Sequence, residues 1–303
     1  MNRIKTGLKM QKLTGIFIWF VIAVYTFLLP NARLAYDAIV NAFGQNAAGR
    51  VPVITVCTLG LIYALAVYRV HKSFRNLLYL IPCAVIAYLI MHLEKNPNKH
   101  IHIPEYVLMA WLLFAAFSKS YTSRDLYLLI FLCTTALGVV DELEQGIHPS
   151  RFYGWSDMLV NSASGLIGIF TLMGIKQTQK ADWHWAERFR KSIAPVGLVL
   201  AGLAGAVIMC VSLFDVQTQG DFWGVYPRWL FFWNMLFLIL TTLVIVFDFN
   251  KNHVHVQALK NQNKAALSTE ANIFRLWILP LLVITAYMYV LVIYIAVTGT
   301  SFR

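Results

Sequence analysis

The sequence of 303 residues is poor in charge. Only 13% of its residues are charged, against roughly 25% in an ordinary soluble domain. Hydrophobic residues make up 59% of the chain. A soluble protein of this size cannot cover so much apolar surface with so few charges, which excludes a soluble enzyme, a disordered regulator and a coiled coil. The chain is therefore predicted to be an all-α, polytopic integral membrane protein.

Acidic residues and cysteines are also scarce. The chain has 14 Asp and Glu against 25 Lys and Arg, which gives a formal net charge of +11. Because Lys and Arg collect in the cytoplasmic loops of membrane proteins, this excess is interpreted as a topology signal, and no nucleic-acid partner is expected. The four cysteines stand singly inside apolar runs. Without a CxxC spacing they indicate neither a zinc site nor a disulfide framework.

Long apolar runs are abundant. A spanning helix needs about 20 mostly apolar residues. Hydropathy predicts nine spans, at 13–29, 51–68, 77–93, 97–118, 125–141, 157–175, 194–214, 229–247 and 276–298. The stretch 34–43 is predicted to be a short interfacial helix. With the N-terminus inside, the inside segments carry 18 Lys and Arg and the outside segments carry 7, which predicts an N-in, C-out topology.

No internal repeat or low-complexity segment divides the chain. The predicted organisation is instead three groups of helices. Residues 1–93 form N-terminal transmembrane helices, 94–175 form a core with a polar site, and 176–303 form C-terminal transmembrane helices.

Polar side chains concentrate at three predicted span ends, all on the predicted outer side. At the start of the fourth span, Asn96 is predicted to cap a helix that has a kink at Pro104. His102, Glu105 and Tyr106 then share one helix face, because they are three and four residues apart. At the end of the fifth span, a helical spacing of about 100° per residue brings the side chains at 141, 142 and 145 into one arc.

The sixth span begins with a second polar face. Asp157 and Asn161 lie on one stripe, and Ser156 or Asp157 is predicted to cap the helix, whose N-terminus favours an anion. Charged residues at helix ends often extend into the headgroup region without any further role. Because three span ends on one side carry acidic, amide and imidazole groups, the sequence favours a polar site.

These residues resemble a known family. The run Asp141-Glu142-x-x-Gln145, followed by Pro149, Arg151, Asp157, Asn161, Gly165 and Gly168, resembles the VanZ-like membrane family. The element Lys99-x-x-His102-x-x-x-Tyr106 matches the family's other characteristic stretch. The resemblance covers about residues 95–175, and Glu144 stands where the family often has His. It implies a bacterial cytoplasmic membrane protein, a link to resistance to the lipoglycopeptide teicoplanin, and kinship with membrane enzymes that act on lipid headgroups.

Three functions are compatible with this sequence. The first is an enzyme that hydrolyses a phosphoester or transfers a headgroup on a phospholipid or lipid-linked sugar in the outer leaflet. The second is a non-catalytic protein that binds a lipid, a cell-wall precursor or a glycopeptide antibiotic. The third is a transporter, which the crowding of polar residues at one end disfavours. Membrane lipids are the expected partners in the first two, and the sequence does not determine the oligomeric state.

The enzyme hypothesis assigns a role to each polar residue. His102 is the candidate base or nucleophile, since its ordinary pKa lies near neutrality. The predicted catalytic residues are His102, Glu105, Asp141, Glu142 and Asp157. The predicted substrate-binding residues are Lys99, Tyr106, Gln145, Arg151 and Asn161. Asp141, Glu142 and Asp157 are also candidate ligands of Ca²⁺ or Mg²⁺, which prefer oxygen, and Arg151 is expected to pair bidentately with a phosphate.

Overall fold

The computed structural model describes residues 2–119, 123–176, 193–258 and 274–303. Throughout these ranges the chain is helical and forms no strand. In hydrocarbon the backbone polar groups must pair within their own segment, and a helix achieves this. Nine helical segments in the described ranges are long and apolar enough to cross a membrane, which confirms the all-α, polytopic prediction.

The helices are, in chain order, α1 (Asn2–Leu28), α2 (Ala32–Phe43), α3 (Gln45–His71), α4 (Leu80–Leu93), α5 (His102–Phe117), α6 (Leu126–Ile147), α7 (Trp155–Ile175), α8 (Ile193–Gln219), α9 (Phe222–Val225), α10 (Arg228–Ala258) and α11 (Leu279–Thr298). Short 3₁₀ segments cover Leu29–Asn31, Phe74–Tyr79 and Pro97–Ile101, and a π-helical turn covers Phe274–Ile278. The segments that qualify as spans are Thr14–Phe43, Gln45–His71, Phe74–Leu93, Pro97–Phe117, Leu126–Ile147, Trp155–Ile175, Ile193–Gln219, Arg228–Asp248 and Leu276–Thr298.

The chain divides into two compact units. The first unit consists of Met1–Asp141 with Gly154–Ala181, and the second of Glu142–Tyr153 with Asp182–Arg303. The predicted segment 1–93 and most of 94–175 therefore belong to one unit. The stretch that begins at Glu142 and ends at Tyr153 belongs to the other.

In the first unit, α7 packs against α5 and α4, and α5 packs against α1. Small residues on α7 allow the close approach of α5. A Cβ at Gly168 would lie 2.7 Å from the Cβ of Ala110 and 3.2 Å from the backbone of Val107. Lipid gives helices no hydrophobic reason to associate, so this fit is what holds the pair together.

We expect Gly168→Ala to lower the free energy of unfolding by about 1–3 kcal/mol, because the added methyl group meets α5 backbone that cannot move aside. The measurement is the midpoint of thermal unfolding in detergent. Gly60→Ala is the matched control, since a Cβ at Gly60 meets nothing within 4 Å. Equal midpoints for Gly168→Ala and the wild type would contradict the packing described here.

One turn after Gly168 in α7, Thr171 joins three helices of the first unit. Its backbone oxygen accepts a hydrogen bond from the Tyr63 hydroxyl at 2.7 Å, and its hydroxyl oxygen accepts one from the Trp111 indole at 2.9 Å. The Thr171 hydroxyl donates to the Gly168 carbonyl at 2.7 Å. These bonds satisfy buried polar groups that would otherwise face hydrocarbon, and they fix α7 against α3 and α5.

The second unit is built around α8, α10 and α11, which pack against one another. Tyr289 on α11 donates from its hydroxyl to the Gly202 carbonyl of α8 at 2.7 Å and accepts from the Trp233 indole of α10 at 3.2 Å. Phe237 packs on the Tyr289 ring, with 4.8 Å between ring centroids. One buried tyrosine therefore connects all three helices.

Several predicted boundaries need correction. The fifth span continues to Ile147 instead of ending at 141. The side chain of Asn96 caps as predicted, accepting from the Asn98 backbone N–H at 3.1 Å, but the chain from Pro97 to Ile101 is 3₁₀ and α5 begins only at His102. Pro104 is then in the first turn of α5, where the backbone N–H has no partner within the helix. The proline therefore starts a helix and does not kink one.

The predicted capping of the sixth span is wrong. Gly154 is the N-cap of α7, and no side chain caps this helix. Ser156 and Asp157 are instead the second and third residues of α7, and the backbone N–H of Asp157 donates to the Gly154 carbonyl. The interfacial stretch predicted at 34–43 is helical and forms α2, none of whose residues is buried.

Candidate functional site

The first unit gathers seven of the predicted site residues at the start of α5, the start of α7 and the facing part of α6. We call this group the His102 cluster, and its members are Lys99, His102, Glu105, Tyr106, Asp141, Asp157 and Asn161. All but Lys99 and Glu105 are buried, and these two are half-buried. So much buried polarity at the edge of an apolar bundle requires internal partners, and the structure supplies them.

His102 and Glu105 form the first of these pairs. His102 Nδ1 lies 3.1 Å from Glu105 Oε2, and the two side chains are 6% and 13% exposed. The pair forms because residues three apart on an α-helix face the same side. The Glu105 backbone oxygen also accepts a hydrogen bond from the Tyr25 hydroxyl of α1 at 3.0 Å. A carboxylate in this position orients the imidazole ring and stabilises its protonated form.

Tyr106 links α5 to α6. Its hydroxyl donates to Asp141 Oδ2 at 3.0 Å, and both side chains are fully buried. The ring lies beside Gly138, where an added Cβ would come within 3.4 Å of it. The absence of a side chain at Gly138 therefore makes room for the tyrosine one turn away from the carboxylate that it contacts.

Asn161, on α7, also lies in the space beside Gly138. Its Cβ would be 2.9 Å from a Cβ at Gly138, and its amide nitrogen lies 3.5 Å from the Gly138 carbonyl oxygen. The side chain is fully buried, and its oxygen Oδ1 has no hydrogen-bond partner among the described residues. A buried acceptor without a partner is costly, so this oxygen is a strong candidate to accept from a ligand.

Lys99 is the one cation of the cluster. Its Nζ lies 2.7 Å from Asp157 Oδ1 and 3.3 Å from Glu94 Oε2, and it donates to Ser156 Oγ at 3.2 Å. Asp157 is in the first turn of α7, where the helix dipole favours an anion. Two carboxylates already compensate the ammonium charge. A phosphate that binds Lys99 must therefore displace one of them.

Three other predicted site residues lie in the second unit and form a relay. Gln145 Nε2 donates to Glu142 Oε1 at 3.1 Å. Arg151 donates through Nε to Gln145 Oε1 at 3.0 Å, and through Nη2 to the same oxygen. We call Glu142, Gln145 and Arg151 the Arg151 relay. Glu142 and Gln145 are three residues apart. Because α6 extends to Ile147, both lie within the helix and share one of its faces.

The loop that carries Arg151 is held by the last residues of the chain. The Tyr153 N–H donates to the Arg303 carbonyl at 2.6 Å, and the Arg303 N–H donates to the Gly146 carbonyl at 2.9 Å. Between them, Phe302 is 5% exposed and packs against Gly146 and the Tyr153 ring. The Tyr153 hydroxyl donates to the Cys210 carbonyl, and burial raises the pKa of this phenol far above its usual range. The phenol therefore stays neutral and remains a donor.

The sequence predicts a cation site at Asp141, Glu142 and Asp157. In the described ranges no three His, Cys, Asp or Glu side chains group so that they could hold a metal ion. Asp157 is engaged by Lys99, and Asp141 accepts from Tyr106. Ligation of Ca²⁺ or Mg²⁺ by Asp141, Glu142 and Asp157 stays a prediction.

The structure also brings in residues that sequence reasoning missed. Glu94 is the second partner of Lys99, Tyr25 contacts Glu105, and Phe302 supports the loop of Arg151. Glu94 and Phe302 lie in short stretches with no periodic pattern, and Tyr25 looked like an ordinary member of an apolar span. No local signal marks any of them.

Seven predicted site residues are thus members of the His102 cluster, and three form the Arg151 relay. Each of the ten has at least one polar partner within its own unit. Comparison of the chain with protein-family models, with curated proteins and with solved structures finds no match.

Proposed function

We propose that this chain is a VanZ-like integral membrane protein that acts on the headgroup of a phospholipid or lipid-linked molecule. The reaction is phosphoester hydrolysis or headgroup transfer at the outer face of a bacterial cytoplasmic membrane. The observation that carries the proposal is the 3.1 Å contact between buried His102 and half-buried Glu105. A histidine oriented by a carboxylate is the usual arrangement of a general base.

In this reaction the Glu105 carboxylate lies beside Nδ1 of His102 and keeps the proton on that nitrogen, so the lone pair resides on Nε2. Nε2 then removes the proton from water or from an acceptor alcohol as its oxygen attacks phosphorus. The bond between phosphorus and the leaving alkoxide breaks, and the imidazolium returns the proton to that oxygen. The Glu105 carboxylate stabilises the imidazolium that exists between these two transfers.

The other members of the His102 cluster bind and orient the substrate. Asn161 Oδ1 accepts from a hydroxyl or ammonium of the headgroup, since this oxygen has no partner among the described residues. Tyr106 is held by Asp141 and forms one wall of the site. Lys99 pairs with an anionic group of the substrate once Asp157 or Glu94 releases it.

The test is turnover by the purified protein in vesicles. Vesicles are prepared from phosphatidylethanolamine, phosphatidylglycerol or a polyprenyl-linked phosphosugar, and released headgroups and new lipids are followed by mass spectrometry. Release or exchange that depends on active protein supports the proposal. Failure with all three lipid classes, by protein that is folded, contradicts it.

The second candidate function is recognition of a lipid, a cell-wall precursor or a glycopeptide antibiotic without chemistry. It is favoured by the pairing of Lys99 with two carboxylates, a stable arrangement suited to a binding surface. Glu105→Asp separates the two functions, because it keeps the charge but draws the carboxylate away from His102. Binding survives this change, whereas general-base catalysis loses its oriented imidazole.

The proposal places the His102 cluster at the outer face, and the predicted N-in, C-out topology is tested separately. In a background without native cysteines, Lys95→Cys is expected to react with a membrane-impermeant maleimide in intact cells. Lys72→Cys, just before the span Phe74–Leu93, is expected to react only after permeabilisation. Both positions are exposed in the structure. The reverse labelling pattern would overturn the orientation.

A further inference from the structure

The second unit contains a cation, Arg151, whose hydrogen-bond partner is an amide oxygen instead of a carboxylate. Both hydrogen bonds from the Arg151 guanidinium go to Gln145 Oε1. Within the described ranges Arg151 forms no ion pair. Lys99 of the first unit is the opposite case, with carboxylate oxygens at 2.7 and 3.3 Å. Of the two cations predicted to bind substrate, Arg151 is the one that need not exchange partners.

Gln145 stands between Arg151 and a buried carboxylate. Its oxygen faces the guanidinium and its nitrogen donates to Glu142 Oε1 at 3.1 Å, so the two ends of the amide cannot be interchanged without loss of both contacts. Gln145 and Glu142 are 1% and 0% exposed. The amide therefore fixes the direction of Arg151 and keeps its positive charge one side chain away from the negative charge of Glu142.

We infer that Arg151 is the binding group for a phosphate and that Gln145 is its positioning residue, with Glu142 as the anchor of the amide. A guanidinium has five N–H donors in a fork that matches two phosphate oxygens. Gln145 occupies one hydrogen on Nε and one on Nη2, which leaves three for an anion. That this phosphate belongs to a lipid headgroup rests on the proposed function, whereas the site itself rests on contacts within residues 142–153.

The loop of Arg151 is preorganised for this role. Arg303 ties its two ends, because the Arg303 N–H donates to the Gly146 carbonyl and the Tyr153 N–H donates to the Arg303 carbonyl. The Arg303 guanidinium donates to the Pro149 carbonyl at 2.9 Å. The Tyr153 carbonyl also accepts from Gln217 at 3.1 Å. A loop that is already ordered loses little conformational entropy when it binds a ligand.

The test is binding of inorganic phosphate to the full chain in an uncharged detergent, measured from the rise in the unfolding midpoint with phosphate concentration. Arg151→Gln is expected to weaken binding at least about tenfold, as for the loss of hydrogen bonds to a charged group. The matched control is Arg228→Gln, which removes an exposed cation of the same unit and is expected to bind as the wild type does.

Gln145→Glu tests the positioning role without a change of shape. The carboxylates at 142 and 145 then share one proton, and Arg151 draws the negative charge to 145, where it pairs directly with the guanidinium. We expect phosphate binding to fall about as far as in Arg151→Gln, by roughly tenfold or more, with the unfolding midpoint maintained. Glu142→Gln removes the negative charge and is expected to tighten binding. Wild-type binding by Arg151→Gln or by Gln145→Glu would overturn the inference.

A second arm identifies the source of the phosphate with short-chain phosphatidate as the probe. Competition with inorganic phosphate, lost in Arg151→Gln, assigns the site to a lipid headgroup. Binding of inorganic phosphate alone assigns it to a soluble anion, and binding of neither probe by the wild type overturns the site. His102→Gln is expected to keep this binding, so a chain that binds phosphate through Arg151 but turns over no lipid contradicts the proposed function and leaves the site intact.

Discussion

His102→Gln is expected to reduce headgroup turnover by about 10²- to 10⁴-fold, the usual contribution of a positioned general base. The glutamine amide can still approach Glu105 but cannot take a proton at neutral pH. The loss should therefore appear in kcat, with a small change in KM, because the amide still fills the space of the imidazole. The measurement is initial rates in vesicles of the lipid that the wild type turns over.

Two further variants make this result specific. Glu105→Gln keeps an oxygen beside Nδ1 but removes the charge that stabilises the imidazolium, so we expect an intermediate loss of kcat. His92→Gln replaces an exposed histidine at the end of α4 and is expected to leave the rate unchanged. A His102→Gln protein that unfolds at the wild-type temperature and turns lipid over at the wild-type rate would refute the assigned base.

Phe302→Ala is expected to lower the free energy of unfolding of the second unit by about 3–5 kcal/mol, the usual cost of removing a buried phenylalanine ring. The ring fills the space over Gly146 and packs on Tyr153, with 5.0 Å between ring centroids. Thermal unfolding in detergent measures the loss. Amide hydrogen exchange should also become faster at Tyr153, whose N–H bonds to the residue that follows Phe302.

The control for this change is Phe232→Ala. Phe232 belongs to α10 in the same unit but is 70% exposed. Its removal leaves no cavity in the protein, and we expect the unfolding midpoint to stay close to that of the wild type. If Phe302→Ala had the same unfolding midpoint as Phe232→Ala, the C-terminal residues would have no part in holding the loop of Arg151.

Hydropathy was sufficient to predict the number and the positions of the spans, because a run of about 20 mostly apolar residues has the length and composition of a spanning helix. It ended the fifth span at Asp141, although α6 continues to Ile147. The reason is that hydropathy counts Glu142 and Gln145 as polar, whereas in the structure they hydrogen-bond to each other and are buried. A polar residue that is paired inside the protein does not end a helix.

The helical spacing of residues 102, 105 and 106 correctly placed them on one face, since that relation is local. Partners on different helices were beyond the sequence, because two span ends on one side do not specify which residues touch. The contact of Lys99 with Asp157 depends on how α5 and α7 pack, which Gly168 and Ala110 decide. The backbone hydrogen bonds of Arg303 could not be predicted from the sequence, because main-chain hydrogen bonds need no particular side chain.

The break at Pro30 between α1 and α2 has a consequence for the surrounding bilayer. None of the residues of α2 is buried, while the packing of α5 on α7 lies elsewhere in the first unit. A change in tilt of α2 therefore leaves the packing of α5 on α7 in place and alters the contact of α2 with α3. Membranes differ by several Å in hydrocarbon thickness, and helices adjust to such a mismatch by tilting. Because α2 is short and has no buried residue, it is free to change its tilt with the thickness of the acyl layer while the His102 cluster keeps its geometry.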